Sequence, residues 1–165
     1  GATHAAIIPL IPAGAARLRK ELNPSPIQVW KAFKKAEETA DERGYDVSIW
    51  CAPFAKAFIK SKHVYVGSCR YNNMDIDPSG NVLICDVLDV TITNIRKGVQ
   101  EAWREYIENP LVLELEDPSK MKGACSNCKY LEKCSGGCRA RSYLTYGTYY
   151  LPDPLCPIHK SNNQH

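Results

Sequence analysis

The chain has 165 residues, a formal net charge of +3 and eight cysteines. That length suffices for one compact domain or two small ones, and the near-balanced charge argues against nucleic acid or a membrane surface as partner. No apolar run reaches membrane-spanning length and the first residues lack the marks of a secretory signal, so the expected location is a reducing cytoplasm, where eight cysteines point to metal or catalysis rather than disulfides.

The first part reads as a strand–helix–strand unit. Ala5 to Leu10 is a short apolar run, expected as a buried parallel strand. After a turn at Pro12-Ala13-Gly14 comes a strong helix start, with Ser25 as N-cap, Pro26 in the first helical position and Gln28 three residues after the cap. The helix is expected to run to about Arg43, with Gly44 placed to stop it and Ile27, Trp30, Phe33 and Ala40 facing inward. Asp46 to Cys51 is the expected return strand. A crossover of this length joins parallel strands, as in an α/β sheet or barrel. Two strands alone would leave an apolar face uncovered. Together with a chain that opens at Gly1 without an initiator Met, this leads to the expectation of a fragment.

Composition changes after about residue 62, where cysteine, glycine and proline become frequent. Asn73 to Asp77, a turn at Pro78-Ser79-Gly80-Asn81, and Val82 to Cys85 read as a β-hairpin. Gly98 to Glu108 is an expected helix with Val99, Ala102, Trp103 and Tyr106 or Ile107 inward, and Leu111 to Leu115 a second, shorter one. From Lys122 onward the chain reads as loop, with Pro152, Pro154 and Pro157 barring long regular elements. This half is short of core-forming residues, so bound metal is the expected organiser.

Cys125, Cys128, Cys134 and Cys138 form C-x2-C-x5-C-x3-C, with Cys69 and Cys85 upstream on the hairpin and Cys156 downstream among the prolines. A C-x2-C turn points two sulfurs at one metal centre. Ser135-Gly136-Gly137 lets backbone pass close to a bulky inorganic group and frees N–H donors for its sulfides. Lys120, Lys122, Lys129, Lys133, Arg139 and Arg141, against Glu132 alone, are placed to offset a negatively charged cluster. Structural zinc sites repeat the C-x2-C pair or add His, and seven cysteines with these gaps do not divide that way. Iron–sulfur is therefore favoured over zinc, and zinc over disulfides.

The pattern C-x10-G-x4-C, then C-x2-C-x5-C-x3-C, then a last Cys resembles the seven-cysteine SPASM motif of radical S-adenosylmethionine (SAM) enzymes, through Cys69, Gly80, Cys85, Cys125, Cys128, Cys134, Cys138 and Cys156. The resemblance implies an α+β chain: residues 1–62 as the C-terminal β-α-β piece of a partial (β/α) barrel, residues 63–160 as a small hairpin-plus-helix SPASM domain, and 161–165 as a disordered tail. It implies two auxiliary 4Fe–4S clusters, one held by Cys69, Cys85 and Cys138, the other by Cys125, Cys128, Cys134 and Cys156. Some relatives supply a further ligand six residues after the first cysteine. Here that position is Asp75, a candidate fourth ligand, with an open iron as the alternative. The signature C-x3-C-x2-C that holds the SAM-binding cluster is absent from these residues. SAM and a third 4Fe–4S cluster would then belong to a parent oxidoreductase, its missing N-terminal barrel would be a partner, and this piece would be inactive alone.

The run from Cys134 to Tyr143, with Tyr146-Gly147 and Asp153-Pro154-Leu155-Cys156-Pro157, looks most like enzymes of haem and related tetrapyrrole synthesis that oxidise propionate side chains, and it also occurs in maturases of peptides or cofactors. The resemblance thus implies electron transfer and substrate positioning, with a small-molecule or peptide substrate and an electron donor or acceptor protein as partners. The alternative from a different class is a non-catalytic zinc-binding interaction module. A self-sufficient ferredoxin-like carrier is disfavoured by the truncated β-α-β unit. Cys51 lies outside the motif and is expected as a buried structural thiol. His4, His63, His159 and His165 lack ligand spacing. Tyr143, Tyr146, Tyr149 and Tyr150 are expected to wrap a cluster and keep water out.

Overall fold

Three short parallel strands, β1 (Ala5–Ile7), β2 (Val47–Ile49) and β3 (Val64–Val66), lie in the order β1-β2-β3, with Ala5 opposite Val47 and Val47 opposite Val64. This is a computed structural model, and it describes residues 1–69 and 71–158. The expected tail 161–165, His159 and His165 lie outside the described residues. The architecture is mixed helix and sheet, compatible with an α+β chain. The chain forms two compact units, one of residues 1–69 with 121–165 and one of residues 70–120. They follow contacts rather than the compositional change near residue 62.

In the first unit, α1 (Pro26–Arg43) joins β1 to β2. Its start carries a full capping box: Gln28 N–H donates to Ser25 Oγ at 3.3 Å, and Ser25 N–H to Gln28 Oε1 at 2.7 Å. Gly44, in the left-handed conformation, closes it. The buried face is Val29, Phe33, Glu37 and Ala40. The expected stripe is thus corrected in part: Ile27 and Trp30 are exposed, Phe33 and Ala40 hold their inward places, and Val29 and Glu37 complete the packed face. Phe33 meets Phe54 of a 3-10 helix, Pro53–Ala57, with ring centroids 6.3 Å apart.

The central strand β2 is buried at all three residues, as a strand flanked on both edges should be. β1 is mostly exposed and ends at Ile7, short of the expected Leu10, because among the described residues it pairs with β2 alone. The return strand is likewise shorter than Asp46 to Cys51. The remainder of this unit carries a 3-10 helix, Gly123–Cys125, and two helices, α4 (Leu131–Cys134) and α5 (Arg139–Tyr146), in the stretch read as loop. To keep labels in chain order, α2 and α3 are those of the second unit.

The second unit is an antiparallel three-stranded sheet, β4 (Asp75–Ile76), β5 (Asn81–Cys85) and β6 (Leu88–Asn94), with α2 (Val99–Ile107) and α3 (Pro110–Glu116) following. The hairpin turn is fixed by Asp77, whose Oδ1 accepts from the N–H groups of Ser79 at 2.8 Å and Asn81 at 2.9 Å. α2 buries Ala102 and, of the two residues between which the pattern left the choice open, Tyr106 rather than Ile107, while exposed Val99 corrects one expected inward position. No helix among the described residues is long and apolar enough to cross a membrane.

Glu37 is the charged member of the α1 core face. It is 5% exposed, pairs with Lys34, and accepts backbone N–H bonds from Lys60 at 2.5 Å and Ser61 at 2.9 Å, so it ties α1 to the approach to β3. Burial pushes its carboxyl up, but Lys34 and the two N–H groups together outweigh burial and hold it below its ordinary 4.5. A lowered folded value means that the stabilisation is complete above the unfolded value and disappears as pH falls through the folded one. Glu37→Gln is expected to cost about 1–3 kcal/mol at pH 7. The gap to the parent protein should close as pH falls below about 4, as read from urea unfolding midpoints at both pH values.

Candidate metal centre

Four cysteines of the first unit, Cys125, Cys128, Cys134 and Cys156, line one narrow cavity, walled by Phe54 and Ala57 of the 3-10 helix after β2 and closed by Tyr130, Leu131 and Ile158. Local structure places each of them. Cys125 ends the 3-10 helix Gly123–Cys125, and Cys128 N–H donates to its carbonyl at 3.0 Å, which folds the C-x2-C pair into a tight turn. Cys134 ends α4 and is followed by Ser135, Gly136 and Gly137, with φ of +48°, +84° and +90°. This left-handed run bends the chain so that the N–H groups of Gly136 and Gly137 face the Cys134 sulfur. Cys156 is set by its N–H bond to the Asp153 carbonyl at 2.9 Å.

Three of the four are buried, and only Cys128 is partly open. Burial pushes the Cys125 thiol up to about 12, with the neighbouring Cys134, Cys156 and Cys128 adding to the effect and Arg139 opposing it. Burial raises Cys134 as well, while the Gly136 and Gly137 N–H groups oppose. Thiols this reluctant to ionise become thiolates when a metal cation is present to neutralise them, releasing protons on binding. Among the described residues, no three Cys, His, Asp or Glu side chains converge on a point that would hold a single metal ion. The four sulfurs are spread around a cavity wall. A zinc site gathers four ligands within about 2.3 Å of one ion, whereas a four-iron cluster takes one thiolate at each iron. Four cysteines are a donor set that either group takes.

The other expected ligands divide between the units. Cys69 and the fully buried Cys138 belong to the first unit, close enough that a Cys69 charge acts on Cys138. Burial drives the Cys138 thiol far up, with Arg141 opposing. Cys138 is the N-cap of α5, its sulfur accepting the Arg141 N–H at 3.4 Å. Cys85 ends β5 in the second unit. There Asp75, on β4, accepts from the Asp86 N–H at 3.1 Å and from Asn73 Nδ2 at 3.3 Å, and the Cys85 thiol donates to Asp86 Oδ1 at 3.5 Å. Burial raises the Asp75 carboxyl, and the Asp86 charge adds to this. Asp75 is half-buried beside Cys85, not a freely solvated hairpin residue.

Sequence reasoning missed an ion pair. Arg141, grouped above with basic residues offsetting a cluster, is buried and pairs with buried Asp153 at 2.6 Å. Burial raises the Asp153 carboxyl, against the pull of the Arg141 charge and of the Cys138 and Leu155 N–H groups. The available signal was an Asp amid the prolines, which has to be held by something. Arg139 is buried too, against the Met121 sulfur, and donates to the Tyr149 carbonyl at 3.0 Å. Tyr143 and Tyr149 stack with centroids 4.4 Å apart, and Tyr150 meets Tyr149 edge-on at 6.4 Å. Cys51 is half-buried with φ of +52°, and its carbonyl accepts two bonds from Arg141. His4 bonds the Ser48 hydroxyl at 2.9 Å and His63 bonds Asp46 at 3.1 Å, ordinary polar roles.

The glycine run has no room for side chains. A Cβ on Gly136 would overlap the Met121 thioether, and one on Gly137 would overlap the Asp153 side chain. Gly137→Ala is expected to cost about 3 kcal/mol, from left-handed strain together with overpacking. Gly147→Ala, at φ +72° but with open space around it, should cost only about 1 kcal/mol. Urea unfolding of the two variants after anaerobic reconstitution distinguishes a crowded site from a merely strained one.

No family model matches the chain. Three relatives do. An AdoMet-dependent heme synthase of Oleidesulfovibrio alaskensis is 33% identical over 84 residues, which cover 49% of this chain and 20% of that protein. The mycofactocin maturase MftC of Mycolicibacterium smegmatis is 35% identical over 86 residues, covering 49% of this chain and 21% of the maturase. MftC of Mycobacterium tuberculosis is 34% identical over a stretch of the same length. The match thus spans about a fifth of the length of each relative. The resemblance to SPASM-bearing radical SAM enzymes, read from the seven cysteines, is borne out by these relatives: about half of the chain is similar to part of an AdoMet-dependent heme synthase and of a mycofactocin maturase.

Proposed function

We propose that this chain is the auxiliary-cluster part of a radical SAM oxidoreductase or maturase, holding two 4Fe–4S clusters for electron transfer and substrate positioning. The observation that carries the reading is the cavity lined by Cys125, Cys128, Cys134 and Cys156. These four would hold one cluster. Cys69, Cys85 and Cys138 would hold the other, with Asp75 as candidate fourth ligand. When bound, the clusters supply one-electron acceptor or donor chemistry. The chain's own residues supply the rest. Gly136 and Gly137 direct N–H groups at a ligand sulfur. Phe54, Tyr130 and Leu131 wall the cavity against water, whereas the stacked tyrosines lie outside that lining, and Arg139 brings positive charge toward Cys125.

The remaining catalytic parts, SAM and a third cluster on a C-x3-C-x2-C motif, are proposed to lie in an N-terminal barrel of the parent protein. The unpaired edge of β1 and the open groove beside it, lined by Ala32, Ala36, Tyr45 and Val47, favour a neighbouring strand–helix unit there. β1 to β3 would then close the partial barrel. The substrate class proposed is a haem or tetrapyrrole propionate to be oxidised, or a peptide or cofactor to be matured, in keeping with relatives named a heme synthase and a mycofactocin maturase. An electron-transfer protein would complete the cycle. Such clusters persist in the reducing cytoplasm, the proposed location.

Iron, sulfide and zinc content after anaerobic reconstitution tests the reading. About eight irons and eight sulfides per chain are expected, with an EPR signal on reduction, and Cys128→Ala should remove about half of the iron. One or two zincs per chain with no sulfide would overturn it and leave a zinc-binding interaction module.

A further inference from the structure

Arg141 spends all five of its N–H donors inside the protein. Nη1 donates to Asp153 Oδ2 at 2.6 Å and to the Cys51 carbonyl at 3.2 Å. Nη2 donates to the carbonyls of Cys51 at 3.1 Å and Pro9 at 3.2 Å, and Nε to that of Leu10 at 3.1 Å. Asp153 is equally committed. The same Oδ2 accepts the Cys138 N–H at 2.8 Å, and Oδ1 accepts the Leu155 N–H at 2.9 Å. The guanidinium and the carboxylate are both almost wholly buried. The carbonyls that Arg141 gathers follow the C-terminal ends of β1 and β2. Its own backbone N–H faces the Cys138 sulfur. One hydrogen-bonded chain therefore runs from two strand ends, through Arg141 and Asp153, to Cys138.

A buried ion pair is a poor way to gain stability, since apolar residues of similar volume often do as well or better. A clamp between strands and helix needs no charge. What charge adds is a field at the neighbouring sulfur. We propose that the Arg141–Asp153 pair is a positioning and charge-setting device for Cys138, fixing that sulfur at the start of α5 and setting the reduction potential of the cluster it holds. This rests on the cluster reading above. Reduction adds negative charge to the cluster. Arg141 favours the reduced state, Asp153 disfavours it, and the pair holds the potential between the two extremes.

The test is an EPR-monitored redox titration of the reconstituted full chain. The relevant signal is identified as the one lost in Cys69→Ala. Asp153→Asn keeps the shape of the side chain and leaves Arg141 uncompensated. It should raise the potential, changing the reduced-to-oxidised ratio at fixed potential about tenfold, or 59 mV for one electron. Arg141→Gln should lower it by a comparable amount, and the double variant should return toward the parent value. Shifts of the same sign, or no shift with iron content retained, would sink the proposal. If Arg141→Gln fails to fold, Asp153→Asn decides alone: a rise supports the device, and no change or a fall refutes it. A parent chain that takes up no iron or sulfide would overturn the cluster reading itself, a result separate from an unshifted potential in an iron-loaded protein.

Discussion

The first unit depends on a buried guanidinium that must satisfy five donors without water. Arg141 meets that demand by drawing in the carbonyls of Pro9, Leu10 and Cys51 and the carboxylate of Asp153, groups from segments far apart in sequence. Each partner is constrained in turn. Cys51 takes a left-handed φ, a strain of about 1–3 kcal/mol for a non-glycine residue, and so turns its carbonyl to the guanidinium. Asp153 orders Cys138 on one side and the turn to Cys156 on the other. Losing one charge would leave its partner buried and uncompensated, which is far costlier than losing the pair.

The thiol-lined cavity is built on the same economy of regular structure. Its walls are a 3-10 helix, a one-turn helix and a left-handed run at Ser135 to Gly137, faced by Phe54, Tyr130, Leu131 and Ile158. Gly136 and Gly137 are surrounded so closely by Met121 and Asp153 that backbone itself forms the packing surface. Such a site supplies donors and shape.

Legibility in the sequence followed the kind of signal each element carries. The start and end of α1 were readable because Ser25, Pro26, Gln28 and Gly44 act through local backbone chemistry that tertiary context does not alter. Its packed face was legible in part: Phe33 and Ala40 are buried as expected, but Ile27 and Trp30 are as apolar as Val29, and hydropathy alone does not choose among them. β6 did carry a two-residue alternation in Leu88, Val90 and Ile92, and was overlooked in favour of the hairpin before it. β3 is three residues of Val-Tyr-Val, too short for any period to declare itself. α5 inverts the usual rule: it buries Arg139, Arg141 and Ser142 and exposes Tyr143 and Tyr146, so a hydropathy reading had to miss it. Of the candidate site, Cys125, Cys128 and Cys134 stood out by spacing, while the place of Cys156 beside them came only with the family resemblance. The Arg141–Asp153 pair was not legible, because nothing in either residue's type announces burial.

The first unit is discontinuous: residues 1–69 are completed by residues 121–158, with a self-contained unit of about 50 residues inserted between. During synthesis the three-stranded sheet therefore emerges well before the helix that satisfies its strand ends. Phe54 and Ala57 wait for the Cys134 segment, and the carbonyls of Pro9 and Cys51 for Arg141. At ribosomal rates of roughly 5–20 residues per second that interval lasts several seconds. The early segment is thus a natural client for a chaperone until the segment that carries Arg141 and Cys134 commits the unit to its fold.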